Sequence, residues 1–228
     1  MNFEEAIQAL TTAGTDQNRK VYRRHGVTNE MFGVSFANLD SLKKKIKVDH
    51  EVAVRLWTTC NHDAQVLAAK IADPEQMTSR DLDAWAKELG NYVVVDAFSG
   101  LVSRSLLALQ KMESWSRATD EWTAQAGWNP LACLAMKNRE LADDFFEARL
   151  AINERNTHAS KNRVRHAMNN ALIAIGIRNA SLQAQAIATA RRIGKVEVDH
   201  GETGCQTPDA VQYILKTAAR KRKLAVGS

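Results

Sequence analysis

The chain has 228 residues and a formal net charge of +5, and 45% of its residues are hydrophobic. A chain of this length can bury a substantial core, and few prolines or glycines interrupt its alanine- and leucine-rich sequence, which favours helices. No apolar run approaches the roughly 18–20 residues that a membrane-spanning helix needs, so the sequence predicts no membrane partner.

The three cysteines, Cys60, Cys133 and Cys205, are odd in number and widely spaced. With no signal peptide, this pattern predicts reduced thiols rather than a disulfide framework. We therefore expect a cytoplasmic protein.

The positive charge is concentrated in the last third of the chain. Residues 1–154 contain 18 lysines and arginines against 22 acidic residues, whereas residues 155–228 contain 13 against 4. An excess of this size suggests an anionic partner, most commonly nucleic acid, although a solubilising surface explains it equally well.

Apolar residues recur three and four positions apart along nearly the whole chain, and no window alternates with period two, which predicts an all-α fold. The predicted helices cover 2–12, 15–24, 38–47, 49–60, 61–72, 79–89, 92–102, 103–115, 120–126, 128–137, 143–156, 160–176 and 180–193, and a last one starts at Pro208. Thr207 is the expected N-cap of that last helix.

Tryptophans mark a repeat within this series. Trp57, Trp85 and Trp122 each stand near the end of one helix, and about seven residues later, at Ala64, Tyr92 and Asn129, the second apolar helix of a pair is under way. Tandem helix pairs of roughly 30–45 residues are typical of a HEAT-like α-solenoid. We predict one domain over residues 1–228, with a flexible basic tail at 219–228.

The helix that contains Asp96 is the most informative element. Tyr92, Asp96 and Ser99 or Gly100 share one stripe, whereas large apolar residues cover the rest of the circumference. An acid on such a helix is costly unless it is paired or faces a cleft. Asp96 either accepts hydrogen bonds within the core or faces a functional groove.

Two other groups of residues invite a functional reading. Lysines cluster at 43–47, which usually indicates a solvated face and less often a phosphate-binding one. Asp199, His200, Glu202 and Cys205 are of metal-ligand type, but their spacing matches no standard zinc pattern, and a hydrogen-bonded turn is the favoured interpretation. No metal or cofactor is predicted.

Four segments together resemble the AlkD-type DNA alkylation repair proteins, which are HEAT-like repeat DNA glycosylases. These segments are HDAQVLAAKIA at 62–72, Trp85 with NYVVVD at 91–96, Trp122 with AG at 126–127, and RVRHAMNNALIAIG at 163–176. The resemblance runs over roughly residues 20–195 in the same order and helical phase.

The resemblance implies a right-handed superhelix with a concave, partly basic groove for duplex DNA, and excision of cationic N3- or N7-alkylpurines without base flipping. The family's catalytic aspartate falls on Asp96, and its neighbouring aromatic residue on Tyr92, where the family has tryptophan. The family's arginine falls on Gln125 and its second tryptophan on Asn170; these two can hydrogen-bond DNA but supply no charge.

A carboxylate suits this chemistry because breaking an N-glycosidic bond develops positive charge on the sugar. We expect Asp96 to stabilise that charge, with Tyr92 packed against a sugar. The remaining predicted DNA contacts are Lys43, Lys44, Lys161, Arg163 and Arg165. The alternatives are a non-catalytic binder of duplex, branched or damaged DNA, and a protein-interaction scaffold.

Overall fold

A computed structural model describes the backbone of residues 1–226 and the side chains of residues 1–221. Within these residues the chain is all-α, as predicted, with a single isolated antiparallel bridge between Gly14 and Val34. The helices are α1 (Phe3–Ala13), α2 (Asp16–Arg24), α3 (Phe36–Ile46), α4 (His50–Trp57), α5 (His62–Ile71), α6 (Ser79–Lys87), α7 (Tyr92–Val102), α8 (Ala108–Trp115), α9 (Glu121–Lys137), α10 (Asp143–Asn156), α11 (Asn162–Gly176), α12 (Ala180–Ile193) and α13 (Ala210–Val226).

The helices form two compact units. Unit 1 contains Met1–Glu113 and His200–Gly204, and unit 2 contains Ser114–Asp199 and the chain from Cys205 onward. Helices α1 to α7 therefore lie in unit 1 and α9 to α13 in unit 2. The single domain over residues 1–228 stays a prediction.

Two of the three recurrent tryptophans build the core of unit 1, whereas Trp122 lies in unit 2 near the start of the continuous α9 and so precedes no separate second helix. The rings of Trp57 and Trp85 stack with centroids 4.0 Å apart and planes 5° apart. Phe98 packs against Trp57 at 5.7 Å, and the indole N–H of Trp57 donates to Glu88 at 2.6 Å. Aromatic burial on this scale holds α4, α6 and α7 together.

A buried carboxylate fixes the connector between α2 and α3. Asp63, on α5, is fully buried and accepts three backbone N–H groups, those of Phe32 at 2.7 Å, Gly33 at 2.8 Å and Val34 at 2.9 Å. Gly33 has a φ of +79°, and a Cβ there would lie 2.5 Å from the Thr15 carbonyl oxygen. The connector is thus held in a conformation that only glycine tolerates at this position.

Helix α11 forms the centre of unit 2, with most of its residues buried. The Asn153 amide of α10 donates to the Met168 carbonyl at 2.7 Å. At the C-terminal end of α11, a Cβ on Gly176 would lie 2.5 Å from the Ile214 side chain of α13. A side chain at this glycine would therefore force the Ile214 side chain to shift.

Several predicted helix boundaries are wrong. The two helices predicted at 120–126 and 128–137 are one continuous α9, which includes Pro130. Gly127 does not break this helix. It allows close packing, because a Cβ there would lie 2.2 Å from the Ser116 nitrogen.

Other helices begin elsewhere than expected. Helix α3 begins earlier, at Phe36, because Ser35 caps it by accepting from the Asn38 N–H at 3.2 Å. Helix α8 begins only at Ala108. Helix α13 begins at Ala210, where Asp209 accepts from the Gln212 N–H at 2.9 Å in the capping role expected of Thr207.

The predicted basic tail coincides largely with the end of α13. The backbone is helical to Val226, and the Lys221 ammonium donates to the Ile177 carbonyl at 2.7 Å. The side chains of 222–228 and the backbone of 227–228 lie outside the described residues.

Replacing Asp63 with asparagine should destabilise the fold strongly. The new amide nitrogen would face backbone N–H groups, so donors now satisfied by a carboxylate would lose their partner, at a cost of about 3 kcal/mol. Urea unfolding of Asp63→Asn measures this loss. Asp40→Asn, at an exposed ion pair, is the control and should barely shift the midpoint; equal midpoints for Asp63→Asn and wild type would contradict the assignment.

Candidate functional site

Helix α7 presents a polar stripe on an otherwise buried surface. Val94, Val95, Phe98, Leu101 and Val102 are fully buried. Tyr92 is half-buried and Asp96 and Gly100 are exposed, whereas Ser99, the predicted alternative to Gly100 on this stripe, is buried. The carboxylate of Asp96 therefore avoids the core and its desolvation cost.

Asp96 and Tyr92 line a cavity of about 770 Å³ that lies within unit 1. Its walls come from α2, α3, α5 and α7 and from the turn after α7. The polar and charged residues that line it are Asn18, Tyr22, His25, Ser35, Lys43, Lys70, Tyr92, Asp96 and Arg104. The cavity therefore combines one carboxylate with three permanent cations.

The cations differ in what they already bind. Lys70 pairs with Asp40 at 2.8 Å, and this hydrogen bond, together with the lysine charge, holds the pKa of Asp40 below its usual range. Arg104 donates to the carbonyls of Gly100 at 3.2 Å and Ala69 at 3.4 Å. A guanidinium carries five N–H donors, so these two bonds orient Arg104 and leave donors for a ligand.

Two polar side chains, those of Asn91 and Tyr92, hold the first turn of α7 in place. Asn91 caps the helix by accepting from the N–H groups of Val93 and Val94, both at 3.1 Å. The Tyr92 hydroxyl hydrogen-bonds the His25 ring of α2. These contacts hold the start of the polar stripe against α2.

Tyr22 and Phe36 form an aromatic wall of the cavity. Their rings meet edge to face at 6.4 Å, and the Tyr22 hydroxyl donates to the Val34 carbonyl at 2.5 Å. Tyr22 is buried, whereas Phe36 remains 48% exposed. Burial, and then the charge of Asp63, raise the pKa of Tyr22 to about 12.

The predicted DNA-contacting residues are distributed over both units. Lys43 lines the cavity, and Lys44 is exposed beside it on α3. The other predicted contacts, Gln125, Lys161, Arg163, Arg165 and Asn170, belong to unit 2 and do not line this cavity.

These five residues differ in how much of their surface is exposed. Lys161 is exposed, and Arg165 and Asn170 are half-buried. Gln125 is 1% exposed and Arg163 is 8% exposed. Burial of this degree makes direct phosphate contact by Gln125 and Arg163 less favourable, and all five DNA contacts stay predictions.

Sequence reasoning missed several residues of the cavity, namely His25, Phe36, Lys70 and Arg104. Arg104 was detectable, because it continues the four-residue spacing of Asp96 and Gly100. Lys70, Phe36 and His25 come from other helices, and only the tertiary fold brings them to α7.

The loop with Asp199, His200, Glu202 and Cys205 is held by hydrogen bonds. The Asp199 backbone exchanges two bonds with the Asn162 side chain, at 2.7 and 2.8 Å, and the Thr203 hydroxyl donates to the His200 carbonyl at 2.9 Å. Among the described residues, no cluster of three histidine, cysteine or acidic side chains is arranged to hold a metal ion.

In the part of the chain that the structure describes, no helix has both the length and the apolar character to cross a membrane. The molecule is thus an all-α protein of paired helices with a partly cationic cavity. Residues 6–214 match the family model of the DNA alkylation repair enzymes, and the chain belongs to that family.

Two relatives match nearly the whole length of the chain. The chain is 28% identical over 225 residues to the uncharacterised protein Lin0241 of Listeria innocua, covering 96% of each chain. It is 26% identical over 227 residues to the uncharacterised protein Lmo0209 of Listeria monocytogenes, covering 96% of this chain and 97% of that one.

A solved structure superposes with a TM-score of 0.89 at 29% identity, covering 97% of this chain and 96% of that chain. It represents a new family of proteins related to the HEAT-like repeat DNA glycosylases, with affinity for branched DNA structures. The predicted HEAT-like fold is therefore confirmed.

Stability at alkaline pH should report on Tyr22. Its folded-state pKa of about 12 exceeds the ordinary value of 10.0, so above pH 10 the unfolded chain loses this proton before the folded chain does. The contribution is fully present below about pH 10 and is lost between about pH 10 and 12. Urea midpoints across this range should fall more steeply for wild type than for Tyr22→Phe, and parallel curves would contradict the shift.

Proposed function

We propose that this protein binds DNA through the unit 1 cavity and prefers branched DNA. The observation that carries the proposal is the convergence of Lys43, Lys70 and Arg104, from α3, α5 and the turn after α7, on one concave surface. Membership of the DNA alkylation repair family and the branched-DNA affinity described for the structural neighbour support it.

The electrostatics of the cavity favour a polyanion. Three cations and one carboxylate line it, so its net charge is positive at neutral pH. Lys43 is exposed, and Arg104 is oriented by two backbone carbonyls. Such groups release condensed counterions when they contact phosphates, which makes binding salt-dependent.

Truncating a cavity cation should weaken DNA binding and flatten its salt dependence. Lys43→Ala or Arg104→Ala should each reduce the slope of log affinity against log salt by about 0.9, the value for one lost phosphate contact. Lys70→Ala should have a smaller effect, because Asp40 already neutralises part of its charge. Titrations of a four-way junction and a linear duplex of equal length at several salt concentrations measure these slopes.

Lys45→Ala is the matched control, since Lys45 is exposed on α3 but does not line the cavity. It removes the same charge and should leave the slope nearly unchanged. Equal effects of Lys43→Ala and Lys45→Ala would place binding elsewhere. A junction affinity no higher than that of the duplex would refute the preference for branched DNA.

A second candidate function is excision of cationic N3- or N7-alkylpurines. The observation that favours it is that Asp96 and Tyr92 line the same cavity as the cations. A cationic alkylpurine is already a good leaving group, so one carboxylate that stabilises the oxocarbenium-like transition state can suffice. Tyr92, one turn earlier, is positioned to pack against the sugar.

An excision assay tests this second function. With duplexes carrying N7- or N3-methylpurine, wild type should release base at least about a hundredfold faster than Asp96→Asn, the scale of losing one transition-state electrostatic contact. DNA binding should persist in the variant. If both proteins release the same trace of base, Asp96 is not catalytic.

A further inference from the structure

We propose that the unit 1 cavity receives one unpaired nucleotide of the bound DNA, with its base inside and its phosphates at the cationic rim. This inference rests on the DNA binding proposed above and specifies what the DNA must offer. A bulge, a flap or an open branch point offers such a nucleotide, whereas a regular duplex does not.

The size of the cavity suits a single nucleotide. At about 770 Å³ it falls within the range of roughly 300–1,000 Å³ that is typical of small-molecule sites. A base pair that is stacked on both faces within a continuous duplex cannot enter such a concavity, because both of its bases are held in the stack. A base that has left the stack meets no such obstacle.

The cavity also offers a surface for stacking. Phe36 lines it with 48% of its surface exposed. The Tyr22 ring packs edge to face against Phe36, with the ring centroids 6.4 Å apart. Val93 and Ala97 add apolar surface to the same cavity. A nucleobase stacked on Phe36 would remove this surface from water.

The Asp96 carboxylate would distinguish an unpaired base from a paired one. A carboxylate only accepts hydrogen bonds, and each of the four bases carries an N–H donor on its Watson–Crick edge. That donor is engaged in a base pair and available in an unpaired base. The negative charge of Asp96 also disfavours phosphate beside it, which directs the backbone towards Lys43 and Arg104.

Gly100 permits a steric test of this placement. It is exposed, lines the cavity one turn after Asp96, and a Cβ there would meet no other atom within 4 Å. A tryptophan at this position would extend into open space and reduce the room for a base. Alanine would add one methyl group and leave the cavity largely open.

The experiment compares two branched DNAs that differ only at one unpaired position, which carries either a base or an abasic site. For wild type, loss of the base should weaken binding roughly five- to hundredfold, the effect of losing one stacked base. Gly100→Trp should bind both DNAs like the abasic one, and Gly100→Ala should keep the difference. Circular dichroism and a urea midpoint no lower than that of wild type establish that the variants are folded.

The outcomes separate this inference from the proposed function. If wild type binds both DNAs tightly and equally, the cavity does not hold the base, although the protein still binds branched DNA. If Gly100→Trp keeps the full difference, the base is bound elsewhere. If no branched DNA binds at low salt, the proposed function fails and this inference fails with it.

Discussion

The three hydrogen bonds from backbone amides to Asp63 are the constraint on which the rest of unit 1 depends. They fix the Phe32–Val34 connector, and that connector determines where α2 ends and α3 begins. His25 and Tyr22 lie before it, and Phe36 and Lys43 follow it, so two walls of the cavity are set by one carboxylate. A buried charge is tolerated here because several donors satisfy it.

The second organising feature is the division of α7 into a buried surface and a polar stripe. Phe98 packs against Trp57 and Trp85 and the valines of the helix are buried, whereas Tyr92, Asp96 and Gly100 line the cavity. The exposure of Asp96 bears on function. Water weakens the field of an exposed carboxylate, which supports the recognition role proposed for Asp96 more than the proposed catalytic one.

Much of the fold was predictable because its signals are local. Apolar spacing, capping residues and the recurrent tryptophans indicated all-α helix pairs, and the spacing of Tyr92 and Asp96 indicated the stripe. The predicted helix boundaries were wrong where tertiary contacts decide whether a helix continues. Gly127 looks like a helix break in the sequence, but it lies inside α9. The backbone of Ser116 packs so closely against it that no larger residue would fit.

The composition of the cavity was less predictable for the same reason. Lys70 and Phe36 come from separate helices. The Lys70 Nζ lies 5.7 Å from the centroid of the Phe36 ring, and this proximity depends on the connector held by Asp63. Gln125 has no sequence feature that marks it as buried, since glutamine is usually exposed. The predicted contacts Lys161, Arg165 and Asn170 share the basic part of the chain, but that charge does not by itself identify a binding surface.

The most direct measurement of where DNA binds is photo-crosslinking from two aromatic positions of similar exposure. Phe36 in unit 1 is 48% exposed and Tyr213 in unit 2 is 50% exposed. Each is replaced in turn by p-benzoylphenylalanine, and the protein is irradiated with a radiolabelled four-way junction. We expect strong crosslinking from position 36 and little from position 213. Crosslinking from position 213 with none from position 36 would contradict binding in the unit 1 cavity.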